Sequence, residues 1–99
     1  MKNKVWRARR ALEKVMDPEL NIPITDLGLI YDVKEKDGLV NIKMTLTSLG
    51  CPLFGQIEKD IREAVLQIKG VKSVEIELVF DPPWTKEMLS KEARVKLGI

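Results

Sequence analysis

Cys51 is the only thiol in the chain, and it lies in the run Thr47-Ser48-Leu49-Gly50-Cys51-Pro52. Proline is favoured as the first residue of a helix, because the backbone N–H it lacks would have been unpaired there. With Pro52 in that place, Cys51 becomes the N-cap. A thiolate at an N-cap faces unpaired backbone N–H groups and the positive end of the helix dipole. Thiols in such positions fall below the ordinary value of about 8.5 and act as nucleophiles or metal ligands near neutral pH. The plainer reading is inert packing, since free cysteines are among the most buried residue types. Thr47 and Ser48 place hydroxyls beside the thiol, and Gly50 lets a ligand or partner come close to the backbone.

Three further residues have chemical potential. Asp17 and Glu19, in Asp17-Pro18-Glu19-Leu20, are candidate acceptors, metal ligands or weak bases. Their plain readings are a turn residue and a solvated charge. Trp84 follows Asp81-Pro82-Pro83 and reads as either a hydrophobic plug or a stacking platform. The chain has no histidine. That excludes a Cys–His dyad or a Ser–His–Asp triad within it. A zinc site would have to combine Cys51 with carboxylates alone, an unusual ligand set.

The bulk properties set the frame. Ninety-nine residues with 44% hydrophobic content suit one domain with a modest core. Seventeen basic and 15 acidic residues leave a formal charge of +2, so neither nucleic acid nor an anionic membrane is called for. The cluster Lys2, Lys4, Arg7, Arg9 and Arg10 reads as the solvated face of a first helix. A lone cysteine forms no internal disulfide. No apolar run reaches the ~18 residues of a membrane span, and the N-terminus carries no apolar signal core. The expectation is a cytoplasmic protein.

Apolar spacing predicts the elements that must position these residues. Val5, Ala8, Leu12, Val15 and Met16 predict a helix from about Lys4 to Met16, stopped by Pro18. Leu29 to Lys34 reads as a strand, with Leu29, Tyr31 and Val33 on one face. Asp37-Gly38 signals a hairpin turn into a second strand, where Val40, Ile42, Met44 and Leu46 alternate with polar residues. Pro52 to about Lys69 carries the clearest helical stripe, ended by Gly70. Val74 to Phe80 is a third strand. Thr85 is placed to cap a last helix from Lys86 to Leu97.

The expected fold is therefore α+β, in the order α-β-β-α-β-α, with a small three-stranded sheet and helices packed on it as a single domain over residues 1–99. In that arrangement the acidic loop before the first strand and the Cys51 turn after the second share one end of the hairpin. The Asp81–Trp84 loop joins them if the third strand runs parallel to the second. All three loops then form one rim, where α/β sites tend to sit.

The motifs Asp17-Pro18-Glu19-Leu20, Asp26-Leu27-Gly28-Leu29-Ile30, Met44-Thr45-Leu46-Thr47, Gly50-Cys51-Pro52 and Val79-Phe80-Asp81-Pro82-Pro83-Trp84 resemble the SufT/PaaD-like iron–sulfur cluster assembly family. This family, formerly a domain of unknown function, includes the eukaryotic MMS-nineteen-interacting type. The resemblance covers nearly the whole chain. It implies a small α/β domain that helps mature iron–sulfur clusters or deliver them to clients, with the reactive cysteine at Cys51 and the acidic loop at Asp17 and Glu19. The cysteine-rich C-terminal part of PaaD-type members and the P-loop domain of the fused ATPases do not occur in these residues, which argues against ring-hydroxylation partners and ATP use.

The reading that follows is a non-enzymatic accessory factor with no stably bound cofactor. Cys51 would hold an iron, a cluster or a partner's cysteine in passing. Clusters usually need four thiolates, so a homodimer or a site shared with a client would make up the set. The partners expected are the iron–sulfur assembly machinery and client apoproteins, with no nucleic acid and no membrane. Two other readings stay open: an interaction adaptor in which Cys51 only packs, and a small thiol enzyme using Asp17 or Glu19 as base.

Overall fold

The computed structural model describes residues 3–18, 20–46 and 54–98. Asn3 caps the first helix, α1 (Lys4–Leu12), by accepting the Trp6 backbone N–H at 2.8 Å. Ala8 and Leu12 are buried along one stripe, while the arginines stay outside it. The helix ends at Leu12 and not at the expected Met16. A non-local pairing takes over: Met16–Asp17 (β1) pairs antiparallel with Ile22–Pro23 (β2), and the Ile24 N–H donates to the Val15 carbonyl at 2.9 Å. Val15 still reaches the core, as the apolar stripe requires, but from outside the helix.

The main sheet begins with a hairpin. Asp37 and Gly38 both take positive φ, 53° and 89°, the backbone that a tight two-residue hairpin turn demands. They join β3 (Ile30–Lys36) to β4 (Leu39–Met44). The chain then crosses over through α2 (Phe54–Leu66) and returns as β5 (Ser73–Leu78), parallel to β4, giving the order β3-β4-β5. Ile42 pairs with Val33 on one side and Ile76 on the other, and this apolar row faces the helices. The alternate row, Asp32–Lys43–Glu77, is polar, as a period of two requires. The expected grouping of Leu29, Tyr31 and Val33 does not survive, because the register shifts between Ile30 and Asp32. Tyr31 is the extra residue of a bulge, and Ile30 takes the place opposite Met44.

α1 packs on β3 and on α2, and α2 packs on β5. Ile57, Ile61 and Val65 are the buried stripe of α2, and Gly70 turns the chain at φ 91°. The last helix is not continuous from Lys86. A 3-10 turn (Lys86–Met88) is followed by extended backbone at Leu89, whose side chain enters the core. Ser90 then caps α3 (Lys91–Leu97), its hydroxyl accepting the Ala93 N–H at 3.1 Å, while Thr85 makes no capping bond. The break follows from two anchors, the burial of Leu89 and the Ser90 N–H donated to the Asp26 carbonyl at 2.7 Å. The main elements thus keep the order α-β-β-α-β-α, with the β1–β2 ribbon inserted after α1.

Candidate functional site

Antiparallel β3 and parallel β5 put the start of β3 and the ends of β4 and β5 along one edge of the sheet. Ile30, Met44 and Leu78 stand side by side there. The pairing extends one step further, with the Thr45 N–H donating to the Leu29 carbonyl and the Val79 N–H to the Met44 carbonyl, both at 2.8 Å. Val79–Trp84 then runs from the β5 edge to the opposite edge. The Trp84 indole N–H donates to the Leu27 carbonyl at 2.6 Å, and the Tyr31 hydroxyl donates to the Pro82 carbonyl at 2.8 Å. This loop, with its cis Asp81–Pro82 peptide, therefore crosses the end of β4. The chain leaving β4 at that point carries Thr47, Ser48, Gly50 and Cys51 before α2 begins at Phe54.

Of the residues singled out from sequence, Glu19, Thr47, Ser48, Gly50 and Cys51 lie outside the described residues, as does the expected cap at Pro52. Trp84 is half-buried and packs against the core. Its ring is a plug over the start of β3, fixed by the indole bond to Leu27. Asp17 serves the ribbon: its side-chain oxygen accepts the Leu20 N–H at 3.0 Å and its carbonyl accepts the Asn21 N–H at 2.8 Å. Asn21 takes positive φ, 55°, which asparagine tolerates better than most residues. Asp17 and Trp84 thus stand on different parts of the fold, the ribbon turn and the sheet edge.

Thr45 is a residue that strand alternation alone misplaces. It falls in the polar row with Asn41 and Lys43, yet it is fully buried, and its hydroxyl has no hydrogen-bond partner among the described residues. Its position explains the burial, since Thr45 is the first residue beyond β4, at the edge that the Val79–Trp84 loop crosses. Among the described residues no group of three His, Cys, Asp or Glu side chains could hold a metal ion, and no helix is long and apolar enough to cross a membrane.

Comparison with known proteins places this architecture. Residues 7–78 match the iron–sulfur cluster assembly protein family. The chain is 48% identical over 90% of its length to an Fe–S protein maturation auxiliary factor of Bacillus subtilis, covering 88% of that protein. It is 43% identical over 86% of its length to the corresponding factor of Staphylococcus aureus, covering 98% of it. In three dimensions it matches a domain of unknown function from Bacillus anthracis with a TM-score of 0.90 at 40% identity, covering 97% of this chain and 92% of that one. A Mycobacterium tuberculosis protein associated with Fe–S complex assembly and repair matches with a TM-score of 0.58 at 35% identity, covering 96% of this chain and 84% of that one. The chain belongs to the iron–sulfur cluster assembly protein family.

Proposed function

We propose that this chain is an auxiliary factor in the maturation of iron–sulfur proteins, working in the cytoplasm as a single domain over residues 1–99, with Cys51 as its working thiol. The observation that carries the reading is the sheet edge. The ends of two parallel strands and the start of the third meet there, the Val79–Trp84 loop spans them, and the chain that leaves β4 at that edge carries the only thiol. Thr47, Ser48 and Gly50 accompany that thiol in sequence, and Trp84 stiffens the sheet edge through its bond to Leu27. Asp17 would contribute from the ribbon, with Glu19 two residues further along the sequence.

The cluster or iron is cargo in this reading. The Cys51 thiol would give up its proton and donate a thiolate to iron, and the remaining ligands would come from the client or from a second copy of the chain. One thiolate holds a cluster poorly because clusters usually need four, and that favours hand-over above storage. Assembly proteins and client apoproteins are the partners this chemistry requires.

The test replaces Cys51 with Ala in cells that depend on this chain, and measures both the activity of cluster-dependent enzymes and the melting temperature of the purified protein. The expected result is client activity equal to that of cells lacking the chain, with a melting shift within about 2 °C. Normal client activity would overturn the reading, and normal activity with a large melting loss would make Cys51 a packing residue. Iodoacetamide labelling should show a pH midpoint well below 8, the free-thiol value being about 8.5. Anaerobic reconstitution with iron and sulfide, followed by native mass, should show metal only with Cys51 present and on a pair of chains.

A further inference from the structure

The basic cluster of α1 divides in the fold. Lys4 Nζ lies 3.6 Å from a Glu35 carboxylate oxygen, and Arg9 lies 4.0 Å from Asp32, so these two cations are taken up by the sheet. Arg7, Arg10 and Lys14 instead line a groove of about 580 Å³ between α1 and α2, joined by Lys69 from the turn after α2. Ala11, Ala64 and Ile68 supply its apolar surface. Trp6 forms one wall; it is 43% exposed, and the Arg10 guanidinium lies 5.6 Å from its ring centroid. Glu13, the acidic residue lining the groove, is held at 3.0 Å by Arg10. Arg7, Lys14 and Lys69 have no carboxylate within ion-pair distance among the described residues.

The groove therefore concentrates four cations against one acid in a chain whose net charge is only +2. Its volume is within the ~300–1,000 Å³ of ordinary ligand pockets. We propose that this groove docks an acidic segment of a partner protein. An apolar side chain of that segment fills the surface formed by Ala11, Ala64, Ile68 and Trp6, and its carboxylates meet Arg7, Lys14 and Lys69. Complementary charge around an apolar centre is the layout of a specific protein contact. Nucleic acid fits it less well. A phosphate backbone calls for a longer cationic track, and single strands call for successive aromatic platforms, whereas here one ring borders a recess that also holds a carboxylate. A membrane surface would need several projecting apolar side chains, and here Trp6 alone is exposed while Ala11, Ala64 and Ile68 are half-buried.

The experiment titrates the full chain with a synthetic peptide of about 15 residues, rich in Glu and Asp around a central Leu and Phe, and follows backbone amide shifts. A peptide with Lys in place of the acids, a single-stranded DNA and anionic phospholipid vesicles are run alongside. The expected result is micromolar binding of the acidic peptide alone, with shifts confined to residues 6–14 and 64–69. The combined reversal Arg7→Glu, Lys14→Glu and Lys69→Glu should weaken binding at least about tenfold, as should 0.5 M salt, which cuts the screening length to about 4 Å. If the triple variant fails to fold, Arg7→Gln with Lys69→Gln serves, with about threefold weakening expected. Cys51→Ala should bind as well as the parent, which separates this surface from the thiol reading. Absent binding at millimolar peptide, shifts elsewhere, indifference to charge reversal, or preferential binding of DNA or vesicles would each overturn the proposal.

Discussion

Removing the Thr45 hydroxyl should make the protein more stable. The side chain is fully buried at the end of β4, and its oxygen has no partner among the described residues. A buried hydroxyl without a compensating bond costs about 1–3 kcal/mol on the scale of protein mutations. Valine keeps the branched shape and the strand preference of threonine while deleting the polar atom. Thr45→Val should therefore raise stability by about 1 kcal/mol, the lower end of that range, because a rotating hydroxyl relaxes part of the cost. For a domain of this size, that is about 4 °C or more in melting temperature. Thermal and urea unfolding followed by circular dichroism would measure it, with an unchanged urea slope showing that the unfolded state is the same. A fall of about 3 °C or more would refute the reasoning, because it would mean that the hydroxyl is satisfied in the working protein. A gain in stability accompanied by loss of client maturation would show that the hydroxyl is retained for function and not for the fold.

Three other outcomes follow from the fold. Gly28 takes φ 77°, and a Cβ there would come within 2.7 Å of the Met88 Cβ and 2.9 Å of its carbonyl carbon; Gly28→Ala should cost about 2–4 kcal/mol in urea unfolding, from strain and overpacking together. Ser90→Ala should cost about 1 kcal/mol through loss of the α3 cap, whereas Thr85→Ala, at the position that sequence alone favours, should cost clearly less. The Glu87 carboxyl is held below its ordinary 4.5, first by its own backbone N–H and next by the Thr85 hydroxyl. A lowered carboxyl stabilises the fold above 4.5, and that contribution disappears as pH falls through the lowered native value. Melting temperature against pH should consequently fall less steeply on the acid side in Glu87→Gln than in the parent.

Local signals carried the central part of the fold. Asp37-Gly38 supplies the positive φ of its turn, and the α2 stripe is buried as its spacing requires. What sequence missed depends on distant partners. Met16 continues the apolar stripe of α1, but its backbone pairs with Pro23, and nothing near Met16 announces that partner. Tyr31 keeps the strand alternation in sequence, while a bulge moves it out of register so that its hydroxyl reaches Pro82, more than fifty residues away. Lys86 to Leu97 has helical composition throughout; the break at Leu89 is set by a core site and by Asp26. Of the expected rim, one part was legible as topology: a parallel third strand brings the Val79–Trp84 loop to the end of β4, while Asp17 is taken up by the ribbon. Which side chains face one another there was not, because contacts such as Trp84 with Leu27 leave no periodic trace.

The parallel pairing of β4 with β5 also fixes when the sheet edge can exist during synthesis. Two parallel neighbours cannot be joined by a tight turn, and here the crossover holds all of α2. The β3–β4 hairpin can close as soon as its own residues leave the ribosome. The edge cannot, because Leu78 must dock beside Met44 and Trp84 must reach back to Leu27. A nascent chain stalled before β5 emerges would therefore hold the hairpin without the edge that Leu78 and Trp84 complete.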